Sequence, residues 1–200
     1  MATANTKDNV LTAAKQALIE LGYSQLSTRR IAETAGVPLS QIHYHFGSKQ
    51  NLMLEVLAAE NERLLDRQTD MYTTDQPLWK QWEQACDYLE DDLESGYVRV
   101  LQEMTAAGWS DPEIAKAVQG CLRGWIDLLR EVASRAMQNW SAANLLEPNH
   151  LGTLVGLAFL GAEAQILLGF EETETRDALR SVGEVIRHLE GERVDEGKTA

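Results

Sequence analysis

Proline and cysteine are scarce in this chain, with four prolines and two cysteines in 200 residues. So few prolines, with no Gly/Ser tract, single-residue run or internal repeat, leave little room for a disordered linker. Cys86 and Cys121 lie far apart in the sequence and form no C-x-x-C pair. That spacing argues against a zinc site or a redox dithiol and fits two reduced thiols carried on helices. The opening MATANTKDNV has neither the basic start nor the apolar block of a secretion signal, so a cytoplasmic protein is expected. Absent too are G-x-S-x-G, H-E-x-x-H, a Walker loop and a dinucleotide fingerprint; the chain is not expected to be an enzyme, and no cofactor is expected. Cations are also in short supply, 18 Lys and Arg against 31 Asp and Glu. A net charge of −13 speaks against nucleic acid, whose phosphates are held by Lys and Arg.

The distribution of charge along the chain points the other way. Residues 1–57 carry Lys7, Lys15, Arg29, Arg30 and Lys49 against Asp8, Glu20, Glu33 and Glu55, a net +1, so the remaining 143 residues hold −14. A near-neutral segment whose cations converge on one surface can bind DNA, while the acidic remainder keeps the protein soluble and repels DNA from the wrong face.

What the chain does contain is helical periodicity. Val10, Leu11, Ala14, Ala17, Leu18 and Leu21 recur at intervals of 3 and 4, predicting a helix that ends near Leu21 at Gly22. Ser27 or Thr28 caps a second helix with Ile31, Ala32 and Ala35 on one side, closed by Gly36. A third begins at Pro38 and buries Ile42 and Phe46, and Ser48 caps a fourth that reaches the late sixties. Further helices are predicted from Leu78 to Leu93, from Tyr97 to Ala107, and from the start signal Asp111-Pro112 through a stripe ending at Ala136.

The segment after Pro148, LGTLVGLAFLGAEAQILLGF, is apolar on nearly every side. Its uninterrupted run stops at Glu163, and acidic EETETRD follows with no basic anchor, so no membrane span is expected. A helix apolar all round in a soluble protein is covered twice, by its own core and by something else. Leu179, Val182, Ile186 and Leu189, at spacings of 3, 4 and 3, offer a seam beside it. Two such helices from each of two chains make a four-helix interface, so a homodimer is expected through Leu154, Gly156, Leu160 and Ala162 with Leu179, Val182, Ile186 and Leu189; an intramolecular core is the competing reading.

Two short helices joined by a turn with a glycine form a helix-turn-helix, whose second helix can enter the major groove of DNA. In "RRIAETAGVPLSQIHYHFGSK", Ala32 is small where the helices cross, Gly36 turns the chain, and Val37, Ile42 and Phe46 hold the second helix down. Gln41 suits adenine and Arg29 suits guanine, while Ser48 with Lys49 offers N–H groups and charge to a phosphate. His43-Tyr44-His45 is no metal site, because alternate residues of a helix do not share a face.

With its flanks "ELGYSQLSTRRIAETAGV" and "IHYHFGSKQNL", the stretch from residue 7 to about residue 57 resembles the DNA-binding domain of the TetR family of bacterial transcriptional regulators. The resemblance implies an all-α protein, with a three-helix DNA-binding domain over residues 1–50 and a helical effector-binding and dimerisation domain over residues 51–200. It implies a backbone contact at Thr28, a base contact at Arg29, base-facing positions at Leu39, Ser40, Gln41 and His43, and phosphate contacts at Tyr44, His45 and Lys49. Pro38, Leu39 and His43 depart from the residues usual there, which leaves the operator sequence open. The implied function is repression of a palindromic double-stranded operator, relieved by a small-molecule effector; the alternative is a DNA-bound adaptor that recruits a protein. All five tryptophans lie beyond residue 78. A pocket for an aromatic or cationic effector is therefore expected among Trp82, Tyr97, Glu103, Met104, Trp109 and Trp125.

Overall fold

The structure, a computed structural model, describes residues 2–138, 140 and 146–191, with side chains from residue 6 onward. The described residues form nine α-helices and no strand: α1 (Ala2–Gln25), α2 (Thr28–Ala35), α3 (Leu39–Phe46), α4 (Lys49–Tyr72), α5 (Leu78–Ser95), α6 (Tyr97–Gly108), α7 (Pro112–Met137), α8 (Pro148–Leu167) and α9 (Glu172–Leu189). Two compact units arise, one from Met1–Leu64 with Leu93–Leu122, the other from Leu65–Asp92 with Arg123–Ala200.

Helix ends follow local chemistry. Gly22 takes φ 73°, ψ 161° and breaks α1 where the sequence places its stop. Ser27, not Thr28, caps α2, its hydroxyl accepting the Arg30 N–H, and Gly36 closes that helix in the left-handed region at φ 65°. Pro38 stands one residue outside α3 rather than in its first turn, with ψ 142°. Ser48 Oγ accepts the Asn51 N–H at the head of α4, and Asp111 Oδ1 accepts the N–H groups of Glu113 and Ile114 at the head of α7. α4 runs to Tyr72, beyond the late sixties, because Met71 and Tyr72 are buried and the Gln81 amide donates to the carbonyls of Met71 and Thr74.

The first unit is built on fully buried Val10 and Leu18 of α1, Ile31 of α2, Ile42 of α3, Leu52 and Leu57 of α4, and Met104 of α6. Each such side chain contributes roughly 1.5–3 kcal/mol over its exposed state. Gly96, at φ 80°, lets the backbone approach Ile19 so closely that a Cβ there would meet the Ile19 Cδ1 at 2.3 Å.

The second unit is organised around aromatic side chains. Phe159 of α8 packs edge-on to Trp82 and Trp125 at centroid distances of 5.4 and 6.2 Å. Both indole N–H groups are spent inside, Trp82 donating to the Leu179 carbonyl and Trp125 to the Gln68 amide oxygen, each at 2.8 Å. α9 is bound to α5 by Arg176–Glu90 at 2.9 Å and Arg180–Asp87 at 2.8 Å, while the Glu190 carboxylate accepts the N–H groups of Leu78 and Trp79 at the head of α5. Burial pushes the Cys86 thiol up to about 11, so it stays protonated and unreactive at neutral pH.

By length and composition α8 is apolar enough to cross a membrane; here one of its faces packs on α7. Gly152 and Gly156 of α8 serve that packing. A Cβ at Gly152 would lie 2.6 Å from the Arg130 backbone, and one at Gly156 would press on Ile126, Leu129 and Trp125. Gly156 and Ala162 are buried within the single chain, as are Leu179 and Ile186. Leu154 and Val182 are exposed, while Leu160 and Leu189 are half-buried. The outer stripe of α8 is Leu154, Leu157, Ala158 and Gly161, with Leu157 56% exposed.

Candidate nucleic-acid interface

α2 and α3 meet through Gly36-Val37-Pro38, where the Val37 N–H closes on the Ala32 carbonyl at 3.0 Å and the Gln41 N–H on the Pro38 carbonyl at 2.9 Å. Ile42 and Phe46, four residues apart, are buried on one side of α3. The opposite side presents Leu39, Ser40, His43 and Tyr44 to solvent, with Tyr44 79% exposed. Gln41 and His45 are half-buried at the flanks. A helix of this size with one anchored face and one bare polar face fits the major groove, about 12 Å wide.

The cations sit differently from one another. Thr28 is half-buried at the head of α2, and Arg29 beside it is exposed with its Nε 3.2 Å from Glu33 Oε1. An exposed pair at this spacing is worth about 0.3–0.5 kcal/mol, little enough for a DNA base or phosphate to displace. His43 Nδ1 lies 3.2 Å from the Gly47 carbonyl; a proton on Nδ1 makes that bond and turns Nε2 into an acceptor. The His45 ring stacks edge-on to Tyr44 at 5.0 Å.

Lys49 is the most constrained cation. Its ammonium donates to the Tyr23 carbonyl at 3.0 Å and stands 4.2 Å from the centre of the Tyr23 ring. Desolvation lowers its pKa from the ordinary lysine value. The Tyr23 N–H in turn donates to Glu103 Oε2 on α6 at 2.9 Å, and Glu103 pairs with Arg99 at 2.8 Å. One residue beyond Lys49, the Gln50 amide donates to Asp111 and Glu113 at the head of α7. Sequence reasoning missed Tyr23, Gln50 and Asp111 as partners of this surface; Gly22 is a signal in retrospect, since a Cβ there would meet Glu103 at 3.2 Å.

The six effector candidates are divided between the two units. Tyr97, Glu103, Met104 and Trp109 belong to the first unit, where Tyr97 and Met104 are buried, Glu103 holds Tyr23 and Arg99, and Trp109 is 83% exposed. Trp82 and Trp125 belong to the second unit, and of the six Trp82 alone lines its apolar cavity, together with Trp140.

Among the described residues the fold is all-helical, with α3 solvent-facing in a helix-turn-helix. Residues 10–56 match the sequence profile described as bacterial regulatory proteins, tetR family. Over that stretch, about a quarter of its length, the chain is similar to the DNA-binding segment of that family. It is 36% identical over 59 residues to the HTH-type transcriptional regulator QacR of Staphylococcus aureus, covering 30% of this chain and 31% of that one. It is 29% identical over 133 residues to the HTH-type transcriptional activator FasR of Mycolicibacterium smegmatis, covering 64% of this chain and 59% of that one. The match thus spans less than two thirds of either relative. A crystal structure described as a putative TetR-family transcriptional regulator from Rhodococcus sp. superposes with a TM-score of 0.78 at 17% identity, over 91% of this chain and 98% of that one, which establishes the likeness of fold.

Proposed function

We propose that the protein is a cytoplasmic, dimeric DNA-binding regulator that represses transcription from a palindromic operator and leaves it when a small molecule binds its C-terminal helices. The observation that carries the reading is α3: buried Ile42 and Phe46 hold it in place while Leu39, Ser40, His43 and Tyr44 face outward. Arg29 and Gln41 are the side chains best suited to base edges, and Thr28, Tyr44, His45 and Lys49 to the backbone. The exposed apolar stripe of α8 and Val182 and Val185 of α9 suit a second copy of the chain, which would bring two recognition helices about one DNA turn, ~34 Å, apart. Release follows from a ligand with higher affinity for the DNA-free arrangement.

The test is selection of bound duplexes from a random pool by the full-length protein. The expected product is an inverted repeat whose half-sites are one helical turn apart. Recovery of no enriched sequence under low salt would sink the reading.

A further inference from the structure

Within the second unit the end of α4, the heads of α5 and α8 and the later turns of α7 and α9 enclose a cavity of about 160 Å³. Its lining includes the small residues Ala133 and Ala136 on α7 and Gly152 on α8, where the Arg130 backbone lies too close for a larger residue at 152. Leu129, Val155 and Ile186 complete much of the wall.

Among the described residues the lining holds no Lys, Arg, His, Asp or Glu. The Trp82 N–H that borders it is already committed to the Leu179 carbonyl, and burial holds Tyr72 in its neutral form. An ion entering such a space gives up much of its hydration and finds no counter-charge among the lining residues, whereas an uncharged ring or short branched chain exchanges water for dispersion contacts with the apolar wall. Apolar cavities of about 150 Å³ stay dry and accept benzene. Val182 and Val185 of α9 border the cavity on its outer side and are exposed in the single chain.

We infer that this cavity is a binding site for a small uncharged apolar molecule about the size of one aromatic ring. The aromatic half of the effector expectation fits the lining; the cationic half finds no carboxylate there. As an effector class the inference rests on the regulator reading, and as a site it stands on the lining itself.

The test titrates the full chain with toluene, benzoate and benzylammonium, followed by calorimetry and by the fluorescence of Trp82 and Trp140. Toluene should bind saturably at one site, with both ions roughly a hundredfold weaker or more. Ala136→Phe should fill the cavity and abolish toluene binding. Leu129→Ala should enlarge it and tighten naphthalene binding over the unsubstituted chain, a gain that misfolding does not produce. Absence of saturable toluene binding, or equal affinity for the ions, overturns the site. The same samples are then assayed on the selected duplexes: selective DNA binding without toluene binding overturns the site alone, whereas toluene binding without selective DNA binding supports the site and overturns the regulator reading.

Discussion

Lys49 reaches back from the first turn of α4 to hold Tyr23, its ammonium 3.0 Å from the carbonyl and 4.2 Å from the ring centre. One of its three N–H donors is used in this bond, and two remain for a phosphate oxygen. The side chain is therefore held in place within the chain itself, with desolvation lowering its pKa.

Lys49→Met should weaken specific and random duplexes alike and reduce the slope of log affinity against log salt by about 1 per half-site. Tyr23→Leu keeps the carbonyl and removes the ring, so affinity should fall only about two- to fivefold, in line with a cation–π contact of roughly 0.5–1 kcal/mol, with the slope unchanged. Titrations at four salt concentrations check both; an unchanged slope in Lys49→Met removes Lys49 from the phosphate contacts.

Gln41→Ala should act on sequence preference instead. Loss of a bidentate base contact is worth about 1–3 kcal/mol of discrimination, so operator binding should weaken while random duplex binding stays level. Equal losses on both duplexes would move Gln41 to the backbone contacts.

Glu103 supplies the acceptor for the Tyr23 N–H and the partner of Arg99. Glu103→Ala leaves that part-buried N–H unpaired, which costs about 1–3 kcal/mol of stability, whereas Glu103→Gln keeps a carbonyl acceptor and should recover part of the loss. Urea denaturation of the three proteins measures it, and equal stability of all three contradicts the role.

The two faces of α8 should respond differently to substitution. Leu157→Arg, on the exposed face, should yield a monomer with full helical content and weakened operator binding. Gly156→Leu, against α7, should lose about 1–3 kcal/mol or more through overpacking. Sedimentation together with thermal unfolding separates the two; a dimeric Leu157→Arg protein would place the interface elsewhere.

Tyr72, with Cys86, is expected to weaken the fold at alkaline pH. Desolvation raises its folded pKa well above the ordinary 10.0, so the unfolded chain releases the phenolic proton first. The stability this group contributes is full below pH 10.0 and declines as pH rises from there toward the folded value. Tyr72→Phe should unfold at a higher alkaline pH than the unsubstituted protein; identical midpoints would show that another group sets the limit.

Helix content was legible in the sequence because its causes are local. Spacings of 3 and 4 among Val10, Ala14 and Leu18, a serine at 27, an Asp-Pro at 111 and a glycine at 36 act within a turn or two, and the helix-turn-helix lies wholly within such short-range signals. The same holds for the outward face of α3, which follows once Ile42 and Phe46 are recognised as anchors.

Only the tertiary structure decided what each apolar or charged residue meets. Periodicity marks α8 as apolar all round but cannot rank its faces, and it was the approach of the Arg130 backbone to Gly152 that turned Gly152 and Gly156 inward and left Leu154 and Leu157 outside. Trp82 and Trp109 are the same residue type in one acidic segment, yet one borders a cavity and the other is bare, because burial depends on partners far away in sequence. Lys49 and Tyr23 lie 26 residues apart, and Tyr23 and Glu103 80 apart. Contacts across such separations are fixed by how helices pack, and no local pattern encodes them.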